Sequence, residues 1–209
     1  MKRMIALVAM AALALPALAD MYTVEITGSV EFSQVNFGQF ADVMTGDPVM
    51  VTFMVDSEDY MDSPNFPTRG YTVSDFWITI GGVTVGLQNP YPDGLTPYFV
   101  IRDNDPAVDG FFFSNNTDFP GGIFINEPAN VADFFGVSYS VTYGGDTLPS
   151  LDIADAVGLY NFEGLSVFNF ILNDGPFEAM FFVYEQMVIS TSGVATQNQT
   201  LSQVKDLFR

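Results

Sequence analysis

The side chains best equipped for chemistry in this sequence are acids. Asp103, Asn104 and Asp105 stand in a row with Asp109 close behind, which puts several hard oxygen donors on one short arc. Such an arc suits calcium, which takes roughly six to eight oxygen ligands and tolerates irregular geometry. A second acidic run, Asp56, Glu58, Asp59 and Asp62, offers the same atom types. Neither run has the glycine and closing glutamate of an EF-hand loop, and solvated turns of an acidic chain look much the same. Asp103, Asn104, Asp105 and Asp109 are therefore the metal candidates, with calcium as the expected ion.

A different chemistry is available at Trp77, the sole tryptophan. It alternates out of phase with Phe76, Ile78 and Ile80 and shares its face with Asp75 and Thr79. A flat indole beside a carboxylate and a hydroxyl can stack on a sugar ring, with Tyr91 and Tyr98 as further aromatic candidates. The competing expectation is a tryptophan buried beneath a loop of a phenylalanine-rich core. A paired-carboxylate glycosidase needs two acids about 5 to 9.5 Å apart across a cleft. Glu25 and Glu31 fall on an outward face, so solvated surface acids explain them better.

Absence narrows the field further. With no histidine and no cysteine, the chain lacks the usual general base at neutral pH, the thiol nucleophile and the ordinary zinc ligands. No Gly-x-x-x-x-Gly-Lys phosphate cradle occurs either. No catalytic residue or cofactor-binding motif emerges, and a non-enzymatic protein is expected.

The elements that must position these residues begin with an export signal. Lys2 and Arg3 precede an apolar run from Met4 to Leu15, and Ala17-Leu18-Ala19 supplies a small-x-small cleavage pattern before Asp20. The run is too short to cross a bilayer core, which needs about twenty apolar residues. Residues 1–19 are thus expected to be removed from a protein secreted or held in the periplasm, with no later membrane insertion. Once they are gone, Arg69, Arg102, Lys205 and Arg209 face 25 acids. Nucleic acid and anionic lipid are disfavoured as partners on that charge alone. Without cysteine, stability has to come from a core, and a hydrophobic fraction of 48% with 15% aromatics supplies one.

Period-two alternation dominates residues 20–191. Tyr22, Val24, Ile26, Val30 and Phe32 share one face, and Val49, Val51, Phe53 and Val55 share another after the Gly46-Asp47-Pro48 turn. Ser57 to Arg69, with its acids, Pro64 and Pro67, reads as a long exposed loop. Tyr71–Ile80 and Val83–Asn89 flank Gly81-Gly82, a tight hairpin signal. Further strands are expected at Tyr98–Arg102, around Gly110–Phe113 and Ile123–Ile125, along Phe135–Tyr143, and at Leu165–Leu172 and Glu178–Thr191. Ser150–Val157 allows one helical turn capped by Ser150. Residues 192–209 form a polar tail able to make a short C-terminal helix. About ten strands without helical crossovers predict an all-β fold, an antiparallel β-sandwich of jelly-roll kind, with a closed barrel as the alternative.

The order of these segments resembles bacterial secreted proteins associated with the PEP-CTERM sorting tail. The likeness rests on Gly28-Ser29-Val30, on Val43–Asp56 with its Gly-Asp-Pro, on the Phe76–Val83 hairpin, and on Leu148-Pro149 to Val157 leading into the closing strands. It implies an extracellular β-sandwich of a Gram-negative bacterium. Residues 192–209 depart from it, because they contain no Pro-Glu-Pro, apolar helix or basic cluster. The resulting expectation is a non-enzymatic protein at the cell surface, in the periplasm or in the extracellular matrix, steadied by calcium. A carbohydrate-binding module facing a polysaccharide or cell-surface component is the alternative, and a carboxylate-based hydrolase comes third.

Overall fold

The computed structural model describes residues 20–36, 38–105, 107–126, 136–163, 165, 171–173 and 179–192. The expected export signal, most of the strand expected over 165–172, and the tail beyond Ser192 with its expected helix lie outside them. Among the described residues there are twelve strands: β1 Met21–Ser33, β2 Pro48–Asp62, β3 Thr68–Ile80, β4 Val83–Gly86, β5 Tyr98–Arg102, β6 Val108–Ser114, β7 Ile123–Phe124, β8 Gly136–Val137, β9 Ser140–Gly144, β10 Gly158–Asn161, β11 Ile171–Asn173 and β12 Ala179–Thr191. They form one antiparallel sheet in the order β7-β8-β11-β12-β1-β2-β3-β5-β6-β9, with β4 paired to β3 and β10 to β12. A bridge between Leu87 and Ile125, flanked by hydrogen bonds from Gln88 N to Phe124 O (3.1 Å) and from Asn126 N to Gly86 O (2.9 Å), ties β4 to β7. The sheet thus curls until its limbs face each other, giving an all-β, sandwich-like fold.

Alternation explains the central strands. In β1, Tyr22, Val24, Ile26 and Val30 are buried while Glu25 is exposed, and Val24 sits between Phe53 of β2 and Ile189 of β12. The expected phase fails at Phe32, which is 45% exposed. A register shift between Val30 and Phe32 breaks the period there, and Phe32 meets Phe181 on the surface at 6.2 Å. In β3 the buried set changes phase, from Tyr71 and Val73 to Phe76, Ile78 and Ile80. The change coincides with a register shift against β2 and with Asp75 at φ 46°, so one extra residue re-aims every side chain after it.

The β3–β4 hairpin forms as its sequence predicts. Ile80 pairs with Val83, and Gly81 and Gly82 take φ of 57° and 87°, the positive angles a two-residue turn demands. The long loop expected over Ser57–Arg69 does not. β2 continues to Asp62 and β3 begins at Thr68, with Tyr60 opposite Tyr71 and Asp62 opposite Arg69. Both faces of this hairpin extension meet water at Glu58–Asp62, so hydrophobic alternation carries no signal for it. Cross-strand contacts hold it instead: Arg69 Nε lies 2.6 Å from Asp62 Oδ1, and its guanidinium covers the Tyr60 ring at 3.9 Å.

β6, whose unbroken apolar run Phe111-Phe112-Phe113 suits either a strand covered on both faces or one at a sheet edge under a loop, is buried from Asp109 to Ser114. Phe111 and Phe113 enter the main core, whereas Phe112 joins Tyr98 and Val100 in a small cluster on the opposite face. The core is largely aromatic. Phe53 contacts Phe99 at 5.1 Å and Phe113 at 5.3 Å, and Phe111 of β6 meets Tyr160 of β10 at 4.8 Å across the interior. Strand β10 has no counterpart in the sequence reading, because Leu159, its apolar outward residue, is 67% exposed. Around Ser150 the expected turn forms without becoming a helix. Ser150 Oγ accepts from Asp152 N (3.0 Å), and turn bonds run from Asp155 N to Asp152 O (3.1 Å) and from Ala156 N to Ile153 O (3.2 Å).

Candidate functional site

Two places gather the candidate residues: a loop corner around Asp109 and the outer face of β3 around Trp77. At the corner, the β5–β6 turn is shaped by Asn104, whose φ of 55° is an angle asparagine tolerates better than most residues. β6 pairs with β9 so that Asp109 lies opposite Tyr143, and the turn following β9 arrives beside it. The Asp109 side chain is completely buried. Its Oδ1 accepts from Asn104 N at 2.9 Å, and its Oδ2 accepts from Leu148 N at 2.7 Å and from Thr147 N. One carboxylate therefore joins two loops by supplying acceptors for three backbone donors.

Carboxylate oxygens of Asp103, Asp109 and Asp146 all lie within 4.8 Å of one another. Burial, the neighbouring Asp109 and, to a smaller degree, Asp146 raise the Asp103 carboxyl above its ordinary value, while the hydrogen bond from Asn104 Nδ2 (2.8 Å) opposes them. Three acids this close repel one another unless a proton or cation intervenes, and the trio has a geometry able to hold a metal ion. Of the four residues expected here, Asp103 and Asp109 converge, and Asn104 supports both. Asp105 does not join: its carboxylate turns to Arg102 at 3.8 Å, and its N–H bonds Val108 O at 3.0 Å. Asp146 takes its place, and sequence spacing missed it because the β6–β9 pairing brings it in from far along the chain. The Gly144-Gly145-Asp146 turn was its only local signal. The second run, Asp56, Glu58, Asp59 and Asp62, forms no such group among the described residues. Asp56 Oδ1 instead accepts Glu58 N at 2.8 Å, and Asp62 pairs with Arg69.

On the outer face, Trp77 is 54% exposed, so the expectation of a tryptophan buried under a loop fails. The bulge at Asp75 places Trp77 outward, between Thr52 of β2 and Gly86 of β4. A Cβ added to Gly86 would lie 3.5 Å from indole Cζ3, so the ring rests on bare backbone there. Glu25 lies opposite Thr52, and Thr79 and Thr84, hydrogen-bonded at 2.8 Å, flank the indole on the next rung. Comparison with protein-family models, curated proteins and solved structures finds no match. The site has to be read from its own geometry.

The other two aromatic candidates do not share this exposure. Tyr91 bonds Asn115 Oδ1 and accepts from Phe124 N at 3.1 Å, and burial pushes its hydroxyl up to about 12 despite that bond. Tyr98 is buried at 7% exposure. Glu25 and Glu31 are both exposed on one strand rather than on opposing walls of a cleft.

Proposed function

We propose that this chain is an exported, non-enzymatic binding protein of the cell surface, periplasm or extracellular matrix, whose outer sheet face engages a polysaccharide through Trp77. One observation supports the reading: the largest apolar side chain of the sequence lies half exposed beside the Thr79 and Thr84 hydroxyls, with no aromatic partner among the described residues. Burying an aromatic ring is worth a few kcal/mol, so a ring left half in water without internal work points to external work. The threonines around it and the carboxylate of Glu25 suit a hydroxylated ligand. The export signal and the resemblance to secreted bacterial sandwiches support the address. Calcium at Asp103, Asp109 and Asp146 would fix the loop corner, its remaining ligands coming from water or backbone carbonyls.

Because Trp77 is the sole tryptophan, its fluorescence reports directly on the face. The processed protein should be retained by at least one insoluble polysaccharide among cellulose, chitin and β-glucan, with a change in Trp77 emission. Trp77→Ala should weaken that retention at least about tenfold. If no matrix retains the protein and glycans leave the emission untouched, the reading is wrong.

A further inference from the structure

We propose that the groove between the tip of the β2–β3 hairpin and the Asn115–Asp118 loop is a second binding site, built for a neutral, hydroxyl-rich ligand such as a sugar residue. The depression has a volume of about 360 Å³, enough for a small ligand, and Met61, Thr96, Tyr98, Asn116 and Asp118 contribute to its walls.

The first argument is an under-satisfied hydroxyl. The Tyr98 side chain is more than nine-tenths buried, yet among the described residues its hydroxyl reaches only Met61 Sδ, at 3.9 Å. A thioether is a weak acceptor, and a part-buried phenol hydroxyl left with it has most of a hydrogen bond to offer a ligand in the groove. A ligand oxygen in the groove would restore that bond. The fit of Tyr98 is deliberate in its packing, since a Cβ on Gly70 would come within 3.0 Å of the Tyr98 ring and 2.8 Å of Thr117.

The second argument is preorganisation. Asn116 Oδ1 accepts from Asp118 N (2.9 Å) and Phe119 N (3.0 Å), which fixes the loop and leaves the Asn116 amide nitrogen as a donor. Asp118 accepts from Ser63 Oγ at 2.6 Å and Asn65 Nδ2 at 2.9 Å, bonds that hold its carboxyl below the ordinary value and keep it an acceptor. Donors at Tyr98 and Asn116 thus stand near an acceptor at Asp118, the complement of adjacent hydroxyls, each of which both gives and accepts. Among the described residues no cation lines the groove and Asp118 does, which disfavours phosphorylated and carboxylated ligands.

The groove stands apart from the Trp77 reading, although Gly70 and Trp77 belong to the same strand. The test is a titration of the processed, nitrogen-15-labelled protein with cello-, laminari-, manno- and N-acetylchito-oligosaccharides, followed by amide NMR. The Asn116 side-chain amide and the Thr117 backbone should shift with at least one of them. Asn116→Asp keeps the loop-fixing oxygen but exchanges the donor for a charged acceptor beside Asp118, and Tyr98→Phe loses only the hydroxyl. Each should weaken binding about two- to tenfold, the effect of one hydrogen bond, with spectra elsewhere unchanged. Trp77→Ala should leave the groove shifts intact, which separates this site from the other. Absence of shifts at Asn116 and Thr117 across the panel overturns the proposal, as does unchanged affinity in both variants.

Discussion

At the Asp109 corner a carboxylate is taken fully out of water, whereas on the outer face of β3 the largest apolar side chain is left half in it. Both placements run against the usual sorting of polar and apolar groups. They differ in what the protein gets from them. Asp109 accepts from three backbone donors where two loops meet, one of them the buried Leu148 N–H, so its burial has an internal explanation. Trp77 rests on the Gly86 backbone with just over half of its surface in solvent, and among the described residues nothing gives that exposure an internal explanation. An anomaly explained from within predicts a stability defect when removed, and one left unexplained predicts a functional defect.

The sharpest break of this comparison is Asp109→Ala. The Leu148 N–H would lose its acceptor in a buried place and the Asn104 and Thr147 N–H groups theirs in part-buried ones, so with about 1 to 3 kcal/mol for the first and less for the other two the variant should lose about 3 kcal/mol of stability. Urea unfolding would show a lowered midpoint with an unchanged slope. A midpoint close to that of the parent protein would mean that the loops do not depend on this carboxylate.

Next in size is the response to calcium. If Asp103, Asp109 and Asp146 share an ion, calcium at a hundredfold excess over its dissociation constant adds about 2.7 kcal/mol. For a domain of this size that raises the melting temperature by roughly 5 to 10 °C. Asp146→Asn should erase the calcium response while sparing the calcium-free protein, because Asp146 is exposed and none of the three bonds to Asp109 involves its side chain. Indifference of the parent protein to both calcium and chelator would remove the ion from the account.

The two regions were unequally legible in the sequence. Trp77 could be placed on its face from the alternation of Phe76, Ile78 and Ile80, since side-chain direction along a strand is a local property. What sequence could not supply was whether a second layer would cover it. The acidic corner was legible only in half. Asp103 and Asp109 are near in sequence, but Asp146 reaches them through strand pairing, and Asp105 was drawn away by Arg102 three residues earlier. The strands followed the same logic: those with one buried face, such as β1 and the β3–β4 hairpin, announced themselves. The hairpin extension at Asp56–Asp62 did not, because cross-strand partners rather than burial hold it, and β10 did not, because four residues with Tyr160 alone turned to the core are too few to show a period.

Trp77→Ala sharpens the other side of the comparison. Stability should change by no more than about 1 kcal/mol, because the ring already faces water. Polysaccharide binding should fall ten- to thirtyfold, about 1.5 to 2 kcal/mol, as expected for an aromatic anchor. A large loss of stability with intact binding would reverse the assignment and make Trp77 a packing residue. Gly86→Leu offers a gentler version, since a side chain there would push against the indole without removing it.

The smallest expected effect concerns the sign of a pH dependence. Burial, Asp109 and Asp146 raise the folded-state value of Asp103, so the native protein holds this proton more tightly than the unfolded chain does. The sign is therefore the reverse of the usual carboxylate. Above the folded value the ionised Asp103 costs stability, and as the pH falls through that value the cost is relieved. Asp118, lowered by its bonds to Ser63 and Asn65, runs the other way, losing its contribution as the pH falls. Asp103→Asn should accordingly stabilise the calcium-free protein slightly at neutral pH and make its acid limb steeper, by deleting the group that gains on protonation. With calcium present the order inverts, because the ion favours the ionised form and protonation of Asp103 would expel it. Melting curves of parent and Asp103→Asn proteins across the acid range, with and without calcium, would read both signs. If the variant were less stable at neutral pH without calcium, mutual repulsion among the three acids could not be the force acting at this corner.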